Sequence, residues 1–323
     1  VGIIANHAAG KDIRRIVSQG RFISNQEKVN TLARVIAGLV ASGVKRVVFM
    51  PDIAMLGAAA SSKVSGNITT EVLDFTPYNE ERDSTTAAAM MANMGVGCLI
   101  TLGGDGTNRA IAKGCGDMPV LPISTGTNNV FPTMVEGTIA GLAAGVVARG
   151  NIDGEWITTA SKALELRVDG KFKDLALIDV AVSKERFIGA RAIWNVDTLH
   201  EVYLTRAEPT SIGLSAIGAH LKPLSGGDDR GLHVKLGEGS IHVEAPIAPG
   251  YIRRVGIQDW QIIGMGKPAI IWLRPCTIAL DGERTFSLAP HAVAEVVLTR
   301  SGPRVVSIKE TMAEATRQGL FKS

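Results

Sequence analysis

The stretch Val96-Gly97-Cys98-Leu99-Ile100-Thr101-Leu102-Gly103-Gly104-Asp105-Gly106-Thr107-Asn108-Arg109-Ala110-Ile111-Ala112-Lys113 decides the fold. Residues 96–102 form an apolar run of the length and composition of a buried strand. Gly103 to Gly106 is a turn that the chain leaves at once for a helix over 107–113. A strand that passes through a glycine turn straight into a helix is the unit from which parallel sheets are built. The same alternation continues on both sides. Upstream, strands are expected at 1–6, 44–50 and 68–75, the last more polar and nearer an edge. Helices are expected at 25–42, 52–61 and 84–94, the last capped by Asp83 or Ser84. Downstream, 120–123 reads as a strand and 130–149 as a helix with Pro132 in its first turn.

The second half has a different period. Segments 163–168 and 171–178 flank Asp169-Gly170, a two-residue hairpin signal. Segments 232–236 and 240–244 flank a glycine turn. Segments 277–280 and 284–288 flank Asp281-Gly282-Glu283, and 293–299 and 304–308 flank Ser301-Gly302-Pro303. The expected architecture is α/β: a Rossmann-like parallel-sheet nucleotide domain over 1–150, then an antiparallel β-rich, sandwich-like domain over 151–308. A linker falls at 150–157, and a helix within 309–323 packs back on the first domain.

Composition narrows the function. The chain has 323 residues, 46% hydrophobic and 20% charged, which excludes a disordered chain. Thirty-six glycines and only 5% aromatics suit backbone-lined sites better than a base-stacking surface. The net charge of +3 is spread without a basic stripe, so nucleic acid is not expected as a partner. Cys98, Cys115 and Cys276 are odd in number and far apart, which argues against a disulfide framework or a cysteine zinc site and for a reducing cytoplasm. The longest apolar stretch, 139–148, is too short to span a bilayer. No histidine pair has metal-ligand spacing, and no resident metal site is expected from side chains alone.

Three polar turns end strands of the first half: Asn6-His7-Ala8-Ala9-Gly10-Lys11, Gly103-Gly104-Asp105-Gly106-Thr107 and Gly126-Thr127-Asn128-Asn129. In an open parallel sheet, ligands bind beyond the carboxyl ends of the strands. Glycine lets backbone N–H groups approach a phosphate, and a following helix adds partial positive charge. An aspartate in such a turn repels bare phosphate. It makes sense where the phosphate arrives with Mg²⁺, or where the carboxylate orients or deprotonates an attacking hydroxyl.

These residues resemble a known superfamily. Leu102-Gly103-Gly104-Asp105-Gly106-Thr107 is similar to the GGDGT signature shared by NAD kinases and by diacylglycerol and sphingosine kinases. Gly126-Thr127-Asn128-Asn129-Val130-Phe131 is similar to their GTxNxF motif, and Leu280-Asp281-Gly282-Glu283 resembles the DGE motif of the lipid-kinase branch. The opening segment and overall layout most resemble the NAD-kinase-related acetoin-catabolism protein X family. The resemblance implies ATP- and Mg²⁺-dependent phosphorylation of a hydroxyl on a small molecule, in a cleft between two domains of a homo-oligomer. It implies that Asp105 meets the acceptor hydroxyl or the metal-bound phosphates, with Glu283 as a second catalytic carboxylate. Asn6, Lys11, Gly103, Gly104, Gly106, Thr107, Gly126, Thr127 and Asn129 would hold phosphate or nucleotide. Arg14, Arg15 and Arg109 are candidates for neutralising charge. A solvated basic face is the plainer reading of Arg14 and Arg15.

The acceptor side departs from the NAD-kinase pattern. The Asn-Glu/Asp pair that binds the dinucleotide is matched by Ile178-Asp179, which keeps only the acid. The Thr/Ser/Tyr loop is matched loosely by 209–218, with Thr210 retained and Ile212 near the usual tyrosine. Asp179 and Thr210 are the expected acceptor contacts. Loss of the two polar groups argues against NAD as acceptor. A lipid or sphingoid-base kinase and a catalytically silent nucleotide-binding regulator are the alternatives. The absence of a basic amphipathic segment weighs against membrane docking.

Overall fold

A computed structural model describes residues 1–9, 19–20, 23–126, 128–152, 154, 156–185 and 195–322. The first half is a seven-stranded sheet of order β3-β2-β1-β4-β5-β17-β6. Its strands are β1 Gly2–Ala5, β2 Arg46–Phe49, β3 Thr69–Val72, β4 Leu99–Gly103, β5 Val120–Ser124, β6 Thr158–Ala160 and β17 Arg304–Val306. All neighbours pair in parallel except β17 with β6. Strands β1, β4 and β5 are buried along their whole length, which is why they read as unbroken apolar runs. Edge strand β3 is exposed, which explains its polar character.

Helices cover both faces. On one, α1 (Asn25–Ala41) and α5 (Gly137–Ala148) bury Leu32, Ile36, Leu39, Ala140 and Ala144 against Ile3 and Ile100. On the other lie α3 (Glu81–Asn93) and α4 (Asp105–Ala112), with Ala87, Met91 and Ile111 packed on Ile4 and Leu99. The short α2 (Leu56–Ser61) is preceded by Asp52, whose carboxylate accepts from the Leu56 N–H.

The second half holds two antiparallel sheets. One has the order β12-β11-β10-β9-β14-β15, the other β13-β16-β7-β8. Their strands are β7 Ala163–Val168, β8 Lys171–Ala176, β9 Asp179–Ser183, β10 Leu199–Leu204, β11 Arg230–Ala248, β12 Tyr251–Gly264, β13 Pro268–Ile271, β14 Cys276–Leu280, β15 Glu283–Leu288 and β16 Ala294–Thr299. Leu164, Leu166, Val296 and Leu298 of one sheet meet Val180, Val182 and Ile278 of the other. A short helix, α6 (Ser215–Ala219), covers the far side, and α7 (Ile308–Arg317) returns to the first domain, where Ala315 packs with Val146.

Four sequence expectations are corrected. The helix expected from residue 130 begins only at Gly137, capped by Glu136, because the N–H groups of Val130 and Phe131 are taken by the Asp105 carboxylate. The hairpin expected at 232–244 is one long strand, β11, with a register break between Leu236 and Ile241; its partner is β12. Segments 293–299 and 304–308 are no hairpin: β16 stays in the second half, while β17 joins β5 and β6 in the first sheet. The helix placed at 84–94 starts at Glu81, where Glu80 and Asp83 form a capping box.

Candidate active site

The order 3-2-1-4-5 places the reversal of strand sequence between β1 and β4, where open α/β sheets form their ligand crevice. The turns that follow those two strands are bonded together there. Asn6 Nδ2 donates to Thr107 Oγ1 at 2.9 Å, and Asn6 Oδ1 accepts from the Ala8 N–H at 2.8 Å. The third turn meets the second where the Thr125 N–H donates to Gly103 O at 3.2 Å and where Asn129 lies against Gly104. A Cβ on Gly104 would lie 2.8 Å from Asn129 Oδ1, so glycine is what lets Asn129 sit against the start of α4. Asn129 Nδ2 donates to Ser124 Oγ at 2.8 Å, and that hydroxyl donates to Gly126 O at 2.7 Å. Gly103 lies against the Thr107 side chain, and Gly106 faces Glu283. The three turns that the sequence places at strand ends form one hydrogen-bonded unit at the crevice.

Two turn aspartates, one from each half of the chain, line a common cleft with Asn128, Val130, Asp179, Ile212, Gly213, Leu214, Ile247 and Gly282. Asp105 is the first residue of α4. It does not cap its own helix. Its carboxylate accepts from the N–H of Val130 at 3.1 Å and of Phe131 at 2.8 Å. Asp281 repeats the arrangement. It accepts from the N–H groups of Leu177 at 3.0 Å, Ile178 at 2.7 Å and Asp179 at 3.3 Å. Asp179 answers by accepting from the Gly282 N–H at 3.2 Å. Burial pushes the Asp281 carboxyl up to about 7; Arg109 lowers it and the nearby Asp105 raises it further. A carboxyl poised near neutrality is a candidate proton carrier.

Sequence reading missed Asp281, treating Asp-Gly as turn chemistry and Glu283 as the informative residue. Both Asp-Gly turns do have positive φ at the two central residues, as type I′ hairpins require. The difference is the environment. Asp169 accepts from the Val293 N–H at the sheet edge, whereas Asp281 is buried in the cleft and holds the link between β8 and β9. Asp-Gly was visible in the sequence; the loop that Asp281 caps was not.

Behind the cleft, the buried Arg109 of α4 crosses to the second half. It donates to Leu280 O at 2.9 Å and to Glu81 at 2.9 Å, with Glu283 at 3.9 Å. Lys113 reaches Glu81 and Asp174, each at 2.8 Å. Arg109 is therefore committed to tying the two halves together. Arg206 is another cation near the two aspartates: its guanidinium lies 5.7 Å from the Phe131 ring centroid, and its Nε is buried without a hydrogen-bond partner. Burial lowers its pKa, opposed by Glu208, Asp105 and Asp281.

Other expectations are sorted by position. Thr210 is exposed and does not line the cleft; Ile212 to Leu214 do. Ile178 packs in an apolar cluster with Phe131, Ala163, Leu175 and Leu177 and is not among the residues lining the cleft. Lys11, Arg14, Arg15 and Thr127 lie outside the described residues. Among the described residues no three His, Cys, Asp or Glu side chains group closely enough to hold a metal, and no helix is long and apolar enough to cross a membrane. Mg²⁺ characteristically binds one or two carboxylates together with substrate phosphates; of the two cleft aspartates, Asp105 lies beside the phosphate-type turns, whereas both Asp281 oxygens accept backbone N–H bonds.

Comparison with known proteins agrees with this division. The ATP-NAD kinase N-terminal domain family matches residues 1–152, and the acetoin catabolism protein X C-terminal domain family matches residues 162–301. Acetoin catabolism protein X of Cupriavidus necator is 38% identical over 337 aligned positions, covering 100% of this chain and 94% of that protein. The chain belongs to the acetoin catabolism protein X family. Among solved structures, yeast NADH kinase complexed with NADH superposes with a TM-score of 0.49 at 14% identity, covering 100% of this chain and 88% of that one. In this family member, the GGDGT turn lies in the kinase-type first domain, and Asp281 comes from the family's own second domain.

Proposed function

We propose that this protein transfers a phosphoryl group from an ATP-type nucleoside triphosphate, with Mg²⁺, to a hydroxyl of a small molecule held in the cleft between the two halves. The observation that carries the reading is the convergence of Asp105 and Asp281, one from each half, on one cleft at the end of the joined phosphate-type turns. In this reading Asn6, Gly103, Gly104, Gly106, Thr107, Gly126 and Asn129 form the donor side, with Lys11 and Thr127 of the same turns. Mg²⁺ supplies charge neutralisation between the phosphates. Asp105 would hold it, and Asp281, the carboxyl poised near neutrality, would orient the acceptor hydroxyl and receive its proton. Glu283 stands at the start of α4, facing Gly106, and belongs to the donor side. Asp179 with Ile212 and Leu214 would bound the acceptor, which suits a small molecule with an apolar portion better than NAD.

The test is an ATP-consumption screen of the purified protein against NAD, NADH, diols, sugars and lipids, with MgATP binding followed by thermal melting. A ligand that binds only the native state stabilises it by about 2.7 kcal/mol at a hundredfold excess over Kd. A melt unmoved by millimolar MgATP, ADP and polyphosphate would remove the nucleotide site. One observation favours a second reading, a nucleotide-binding regulator without catalysis: both aspartates already accept backbone N–H bonds and so have a structural use. Binding of MgATP with no turnover on any acceptor would select it.

A further inference from the structure

Lys28 is the fourth residue of α1 and is completely buried. Its ammonium lies 3.0 Å from each of three main-chain carbonyl oxygens, those of Asn6, His7 and Ala9. An ammonium has three protons, and three acceptors of one short turn converge on it. Lysine is among the residues least often fully buried, and removing its charge from water is costly unless the donors are satisfied. A solvated lysine on α1 would incur no such cost.

We propose that Lys28 is a positioning residue that sets the backbone of the first turn to face a phosphate. The proposal rests on the phosphate-site reading given above. The peptide bonds of the turn are trans, so a carbonyl directed at Lys28 turns the next N–H to the opposite side. The carbonyls of Asn6 and His7 therefore face inward and the His7 N–H faces outward, while the Ala8 and Ala9 N–H groups are held within the turn by Asn6 Oδ1 and Asn6 O. Asn6 Oδ1 takes the Ala8 N–H, which leaves Asn6 Nδ2 to reach Thr107 across the β1/β4 boundary. Lys28 thus sets the direction of the backbone dipoles in the first turn and, through Asn6, its registry with the second. It also places a positive charge directly behind the turn, where it adds to the field felt by a phosphate without touching it. Neither role can be seen in the sequence, where Lys28 is one cation at the start of an amphipathic helix.

The probe is inorganic tripolyphosphate, titrated by calorimetry into the wild type and into Lys28→Met, which keeps side-chain length and removes the charge. Both are measured at a temperature where circular dichroism shows the variant folded. The expected result is at least a tenfold weaker Kd in the folded variant. An unchanged Kd overturns the proposal and leaves the phosphate-site reading standing. Failure of the wild type to bind either tripolyphosphate or MgATP overturns that reading and the proposal with it. A measurement on the wild type covers the case in which Lys28→Met does not fold. In amide NMR spectra, tripolyphosphate should shift the His7 N–H resonance as the site saturates. Saturable binding that leaves His7 unmoved contradicts the proposal.

Discussion

Asp105 and Asp281 each hold the backbone of a neighbouring loop while lining the cleft, so the groups that the proposed chemistry would use are fixed by bonds that also shape the site. For Asp281 this arrangement predicts a pH signature. Its folded pKa is raised to about 7 by burial, against an unfolded value of 3.8. Between those values the unfolded chain gives up the proton and the folded chain keeps it, so this group lowers stability as pH rises through that window. Above about pH 7 its effect is constant. Asparagine keeps an oxygen for the Leu177 and Ile178 N–H groups and cannot ionise. Denaturant unfolding at pH 4 and pH 7 should show the wild type losing stability relative to Asp281→Asn as pH rises; an unchanged difference would contradict the raised pKa. Ile178→Asn puts an amide into the apolar cluster around Phe131, and should cost about 1–3 kcal/mol in the same assay without creating NAD kinase activity. From the sequence, Ile178 reads as a lost polar contact. Its actual role depends on which way the strand end turns, which the local pattern does not encode.

Among the elements, those set by local periodicity were legible in the sequence and those set by distant partners were not. The buried strands β1, β4 and β5 and the helices between them follow from apolar runs and spacing. The segment 130–136 has helix-compatible residues, but its N–H groups are claimed by Asp105 and Thr133 O accepts from Ser124 N, so helix begins later. In β11 the glycines that look like a turn permit a bulge instead. A Cβ on Gly239 would lie 2.1 Å from Ile257 O of β12, so only glycine allows the close approach. Gly239→Ala should therefore destabilise the ribbon by about 1–3 kcal/mol, seen as a lower unfolding midpoint; a neutral result would mean that the bulge can slide. Gly104→Val acts differently from the simple filling of phosphate space. Its Cβ meets the Asn129 side chain first and pushes it from its place against the start of α4. The MgATP-induced melting shift should vanish in this variant, and a retained shift would show that the two turns act independently.

At the scale of the molecule, the two halves are tied by α4, whose first residue lines the cleft and whose Arg109 reaches the β14 end. Strand β17 and helix α7 return the end of the chain to the first sheet. The two-domain plan was readable from the change of period, whereas the Arg109 tie needed the angle between the halves, which no sequence spacing specifies. Arg109→Met leaves the Leu280 carbonyl without its donor and Glu81 with Lys113 alone, and should cost about 1–3 kcal/mol; a loss under about 0.5 kcal/mol would show that the halves are held by other contacts. The central claim is that the cleft carboxylates perform phosphoryl transfer, and Asp105→Asn tests it most directly. Asparagine keeps an oxygen for the Val130 and Phe131 N–H groups and loses the charge. ATP turnover on the acceptor found by the screen should fall at least about a hundredfold, with stability within about 1 kcal/mol of the wild type. Near-full activity in a folded Asp105→Asn protein would reduce the aspartate to a loop staple and contradict the account.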